Sequence, residues 1–197
     1  MSVTQKMATP GLRLILTTLL LIMPQLIFAA STTTTLRSPL DQAISAFSNN
    51  HQKTLEALLQ KDPTLLRQRN ETGINLLFAA VEERKVSDLQ LMLKYQPDLE
   101  IKTDDGYTLI QSAAYDSTPL IVEILSKAGA NVQVQDMDGN SLLHRAVMAG
   151  YKKMILTLLK VGVNTDMKNK EGKTAFDLAL KNPRLNQLQK KLKPKKP

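Results

Sequence analysis

The chain has no cysteine and no tryptophan. Without thiols it can form no disulfide, no thiolate metal site, no cysteine nucleophile and no lipidated cysteine anchor. The lack of a stray thiol also suits an oxidising compartment. Aromatic residues make up only 4% of the 197 positions, and Leu and Ala dominate the apolar set. Those two residues suit helices, whereas a sheet protein would draw on Val, Tyr and Phe. Only two histidines, His51 and His144, are available for metal or acid–base chemistry. With 43% hydrophobic residues the chain is long enough for one domain with a core, and not obviously two.

Charge is unevenly spread. The formal net charge is +8, but segment 181–197 alone carries seven basic residues and no acid, and the first thirty residues carry Lys6 and Arg13. The remainder holds 17 basic against 18 acidic residues. The body of the chain is therefore close to neutral, with a cationic end.

The N-terminus reads as an export signal. After the basic start, residues 14–30 are apolar apart from two threonines and one glutamine, and they end in small residues. Pro24 and Gln25 interrupt the stretch, which makes it a poor permanent span, for which about 20 apolar residues are wanted. A signal peptide over 1–30, cleaved between Ala29 and Ser31, is expected, followed by a threonine-rich linker over 31–39. The destination would be the periplasm of a Gram-negative bacterium, or otherwise the outside of the cell.

Gly73, Gly106, Gly139 and Gly172 recur every 33 residues, and this period outranks any local signal. Seven residues after each glycine stands an alanine: Ala80, Ala113, Ala146 and Ala179. Four residues after it stands a large apolar residue, and two after it a hydroxyl in Thr108, Ser141 and Thr174, with Asn75 the exception. The glycines mark tight turns, the hydroxyls are natural helix N-caps, and the alanines mark a close helix contact. A second apolar run at helical spacing follows in each unit, such as Ile121, Val122, Ile124 and Leu125. Gly129 and Gly162 supply a stop after it. Each unit is thus turn, short helix, turn, longer helix, loop.

These residues resemble the ankyrin repeat, whose signature G-x-T-P-L-H-x-A-A is matched best by Gly139-Asn140-Ser141-Leu142-Leu143-His144-Arg145-Ala146. No unit has the signature proline, and only one has the histidine. The resemblance implies an all-α solenoid of about five stacked ankyrin repeats over residues 40–181, the first and last acting as caps. The units fall at about 40–68, 69–101, 102–134, 135–167 and 168–181, with a basic tail over 182–197. It also implies that His144 hydrogen-bonds backbone between units.

Little in the chain points to catalysis. Asp136-Met137-Asp138-Gly139 fails as a calcium loop: with Gly139 sixth, the first and twelfth positions are Val134 and Arg145. Phosphate-binding glycine motifs are missing. No catalytic residue, cofactor or metal is expected, and the chain reads as a non-enzymatic scaffold or adaptor that binds another protein.

The resemblance implies that a partner lies on the concave side, against turn tips and first-helix ends. Those columns supply Glu71, Ile74, Glu82 and Glu83, then Asp104, Asp105, Tyr107, Tyr115 and Asp116. The later units supply Met137, Asp138, Asn140 and Met148, then Lys170, Lys173 and Lys181. Tyrosines and methionines within an acidic field suit a partner with a basic segment carrying an apolar anchor. A second reading makes the protein a peripheral envelope protein, held to an anionic membrane by its basic C-terminal tail. Nucleic acid is not expected, because the tail lacks interleaved aromatics, and a monomer is expected.

Overall fold

The computed structural model describes residues 38–116 and 118–193. The expected signal peptide, the linker up to residue 37 and residues 194–197 lie outside them.

The described residues form pairs of antiparallel helices repeated along the chain. The first pair is α1 (Pro39–Ser48) and α2 (Gln52–Lys61), followed by a 3-10 segment at Pro63–Arg67. The next three pairs are α3 (Leu76–Glu82) with α4 (Val86–Leu93), α5 (Leu109–Tyr115) with α6 (Pro119–Lys127), and α7 (Leu142–Ala149) with α8 (Lys152–Lys160). The last is α9 (Ala175–Ala179) with α10 (Asn186–Leu192), separated by a 3-10 turn at Pro183–Leu185. The fold is an all-α repeat solenoid; among the described residues the only β pairing is isolated bridges at the turn tips, such as Gln135 with Ser141.

The first helices α3, α5, α7 and α9 stack directly on one another. Ala80, Ala113, Ala146 and Ala179 sit in these contacts at 2% exposure or less, where a larger side chain would hold neighbouring helices apart. The first pair joins the stack differently. Its 3-10 segment packs against α1, α2 and α3, and buries Leu65 and Leu66 there. Each helix pair alone exposes an apolar face, so stability comes from the neighbouring unit that covers it.

Capping is periodic as well. Asn75, Thr108, Ser141 and Thr174 are the N-cap residues of α3, α5, α7 and α9. Asn75 is no exception in role: its Oδ1 accepts from the Leu77 amide at 2.9 Å, while its Nδ2 donates to the Leu66 and Gln68 carbonyls. Three residues on, chemically different side chains accept the cap's own N–H: Gln111 at 3.0 Å, His144 at 3.2 Å and Asp177 at 2.8 Å. Thr118 stands at the N-cap of α6 but does not cap with its side chain, because its hydroxyl donates back to the Ala113 carbonyl at 2.7 Å.

Residues 182–192 correct the sequence reading. They are no tail but a 3-10 turn and the second helix of the last unit. Leu185, Leu188 and Leu192 are buried, and the Gln189 amide donates to the Ala179 carbonyl at 3.2 Å. The lysine-rich composition hides leucines at helical spacing, and these cover the open side of α9.

Candidate functional site

Each turn tip is held by one side chain three residues before its glycine. The Asn70, Asp136 and Asn169 Oδ1 atoms each accept two backbone N–H groups across their turn, at 2.8–3.1 Å. Thr103 does the same job once, accepting the Tyr107 amide at 3.1 Å. Asp136 is therefore a turn-forming residue, and Asp138 lends the turn its backbone N–H.

Successive tips are stitched together by side-chain amides, guanidinium groups and backbone. The Arg69 guanidinium donates to the Lys102 carbonyl, and Gln135 donates to the Lys168 carbonyl at 3.1 Å. The Lys170 N–H donates to the Asp138 carbonyl at 3.0 Å. A Cβ on Gly139 would lie 3.0 Å from that same Lys170 nitrogen, so glycine is needed there for proximity as well as for its positive φ. His144 joins two units: its Nδ1 accepts the Ser141 N–H at 3.2 Å, leaving Nε2 as the donor to the Lys173 carbonyl at 2.9 Å.

The residues expected to bind a partner divide into three groups. Glu71, Glu82, Glu83, Asp104, Asp105, Asp116, Asp138, Lys170 and Lys181 are exposed, as are Ile74 at 41%, Met148 at 48% and Met137 at 81%. Tyr107, Tyr115 and Lys173 are half-buried. Asn140 is buried, with its Oδ1 accepting from Asn169 at 3.1 Å, and it is withdrawn from the contact face: the turn needs its side chain internally.

The structure gathers one cluster from this set. The Tyr107 and Tyr115 rings meet edge to face, 5.4 Å apart at 79°. Arg145 lies 5.6 Å from the Tyr115 ring, forms an ion pair with Asp136, and reaches Asp138 at 3.8 Å. Arg145 and Asp136 escaped the sequence reading. Their only signal was a charged residue in a column otherwise held by Ala79, Ser112 and Leu178.

The electrostatics follow from this packing. Burial pushes the Tyr115 hydroxyl up to about 12, and the neighbouring Asp136 charge adds to the shift. Burial also penalises the Asp136 carboxylate, but the Asn140 N–H and the Arg145 guanidinium outweigh it and hold Asp136 below the usual carboxylate range. Several acids of the face are already matched within the protein: Asp104 by Arg69 at 3.4 Å and Glu83 by Lys85 at 3.1 Å. Among the described residues no group of three His, Cys, Asp or Glu side chains could hold a metal ion.

Residues 109–190 match a family model described as ankyrin repeats, in three copies. These three units are similar to ankyrin repeats. The match starts at the first residue of α5 and runs into α10, so it includes the helix that composition had disguised as tail. The same helix-pair architecture continues upstream of the matched ankyrin units to Pro39. No curated protein matches the chain. Ankyrin repeats are in general protein–protein interaction modules, which makes a protein the expected ligand of this array.

Proposed function

We propose that the protein is an exported, non-enzymatic scaffold whose turn tips and first-helix ends bind a protein segment that is basic and carries an apolar anchor. The observation that carries this reading is Met137, which stands 81% exposed at a turn tip between Asp136 and Asp138. A large apolar side chain held out by a rigid turn loses water contact only when a partner covers it. Met148 and Ile74 are further exposed apolar side chains on the expected contact columns. Met adapts its shape to varied partners at little cost.

The tyrosine pair takes a different part from that of a simple hot spot. Tyr115 leans on the core with its hydroxyl buried, and it braces Tyr107 and Arg145 in place. Tyr107, at the tip itself, is the better candidate for direct contact. Export rests on the N-terminal composition: Lys6 and Arg13 ahead of the apolar run 14–30. A reporter fused to residues 1–39 tests it, since retention of the reporter inside the cell would remove export from the proposal.

The binding face is tested by site-specific photo-crosslinking in the native host. A crosslinker at 137 or 148 should trap a discrete protein adduct, and one at exposed Ser87 on α4 should not. The adduct at 137 should weaken when Asp105 and Asp138 are changed to Lys. Equal trapping at 87 and 137, or an adduct indifferent to those charge reversals, would sink the proposed face.

A further inference from the structure

The protein-binding reading leaves one column of the array unused. Lys61, Lys94, Lys127, Lys160 and Lys193 follow one another every 33 residues. Each is the last residue of a second helix or its C-cap, and all five are exposed. Two of them reach back to the preceding second helix, Lys160 to Glu123 at 2.9 Å and Lys94 to Glu56 at 4.0 Å. The column therefore runs along one side of the stack.

Its surroundings are basic on balance, with the excess of lysine in the last two units. The second helices with their C-caps hold ten lysines, no arginine and four acids, of which Asp88 is buried. The arginines of units two to four stand elsewhere, at turns and first helices, where Arg69 and Arg145 make ion pairs. A lysine at a helix C-terminus has a local reason, because it meets the negative end of the helix dipole. Lys152 and Lys153 have no such reason: they open α8, where a cation opposes the dipole. Residues 152, 156 and 160 then form one exposed stripe, Lys-Leu-Lys, at spacings of four. Leu156 is 41% exposed, and Leu120 on the adjacent α6 is 59% exposed.

We propose that this second-helix side of the array, with its lysine column and its exposed Leu120 and Leu156, docks on the surface of an anionic lipid bilayer. Separate ammonium point charges on flexible stems suit a diffuse field of headgroups, whereas forked recognition of single phosphates would call for arginine. The leucines decide between lipid and a soluble polyanion. Apolar side chains between lysines gain by entering the headgroup–acyl boundary and gain nothing from a polyphosphate chain. Among the described residues no helix is long and apolar enough to cross a membrane. The side is distinct from the turn tips and leaves them turned to other partners. It also shifts the cationic contact from the last few residues to the length of the array.

The test is sedimentation of the full chain with vesicles of phosphatidylcholine alone, or of phosphatidylcholine with one-quarter phosphatidylglycerol. Partition onto the anionic vesicles should exceed that onto neutral ones at least tenfold and fall steeply with salt. A Lys61→Gln/Lys127→Gln/Lys153→Gln variant should bind about a hundredfold more weakly, at roughly fivefold per lysine. Its thermal midpoint should fall by only a few degrees, since none of the three makes a salt bridge but Lys61 and Lys127 each meet a helix C-terminus. Leu120→Ser/Leu156→Ser should also weaken vesicle binding. Undiminished binding by the lysine variant would overturn the proposal and assign the contact to the C-terminal residues. Salt-insensitive binding to both vesicle types would overturn it in favour of the apolar segment 14–30. Loss with the lysine variant but none with the leucine variant, together with full competition by inorganic polyphosphate, would overturn the lipid assignment in favour of a polyanion.

Discussion

Tyr115 shows how one side chain can serve a site at a cost to the fold. Its ring supports Tyr107 and receives Arg145, but its hydroxyl is buried and makes no hydrogen bond of ordinary geometry. A buried polar group left unpaired costs about 1–3 kcal/mol. Tyr115→Phe should therefore be neutral or stabilising by about 1 kcal/mol, measured by urea denaturation. A clear loss of stability would mean that the hydroxyl has a partner. Ultraviolet titration should find one of the four tyrosines ionising near 12 rather than 10. Because the folded value is raised, this residue takes nothing from stability below pH 10, and stability is lost as pH rises from about 10 through about 12. At Gln96 the strain is in the backbone. Its φ is +48°, where the equivalent Gly129 and Gly162 sit at +99° and +86°. Gln96→Gly should raise stability by about 0.5–1 kcal/mol, the left-handed penalty less the added chain entropy of glycine.

At the scale of the element, the short first helices depend on their caps and the last pair on its leucines. α9 is five residues long and could not persist in water by itself. Thr174 and Asp177 close its first turn reciprocally, and the 3-10 turn and α10 cover it with Leu185 and Leu192, both fully buried. Leu192→Ala should cost about 2 kcal/mol, at the low end for a buried leucine because the site lies at the end of the array. A solvated tail would give no change in the denaturation midpoint. The helix was hard to read from composition because Lys190, Lys191 and Lys193 dominate the segment, while the leucines gain meaning only from the open face beneath them. The columns at Gln111, His144 and Asp177 were hidden for a related reason. Three side chains share one acceptor role that no residue-type pattern reveals. His144 alone was legible, through its place in the repeat signature.

Over the whole molecule, acid sensitivity should collect in the turns and caps. Asp177 is held below the usual carboxylate range by the Thr174 N–H and hydroxyl, and Asp136 by the partners described above, against its burial. A depressed folded value contributes stability above the ordinary carboxylate pKa of about 3.9, which is lost as pH falls through the folded value. Urea denaturation should therefore show little change between pH 7 and 5 and a steep loss below about pH 4. An Asp136→Asn/Asp177→Asn variant should start lower and lose less on acidification. Parallel acid losses in the two proteins would place the effect elsewhere.

The 33-residue period, the helix pairs and the buried alanine column follow from the sequence by itself, because a repeated local pattern needs only the same unit next door to complete it. The turn tips followed as well, since Gly, Asx and hydroxyl chemistry acts within five residues. Only the tertiary structure decided what lies between units. It turned Asn140 inward to Asn169, drew Arg145 onto Tyr115 and Asp136, folded residues 182–192 against α9, and ranged five lysines along one side. Burial and pairing at those positions depend on which surface a neighbouring repeat covers. That is a property of the stack and of no single unit.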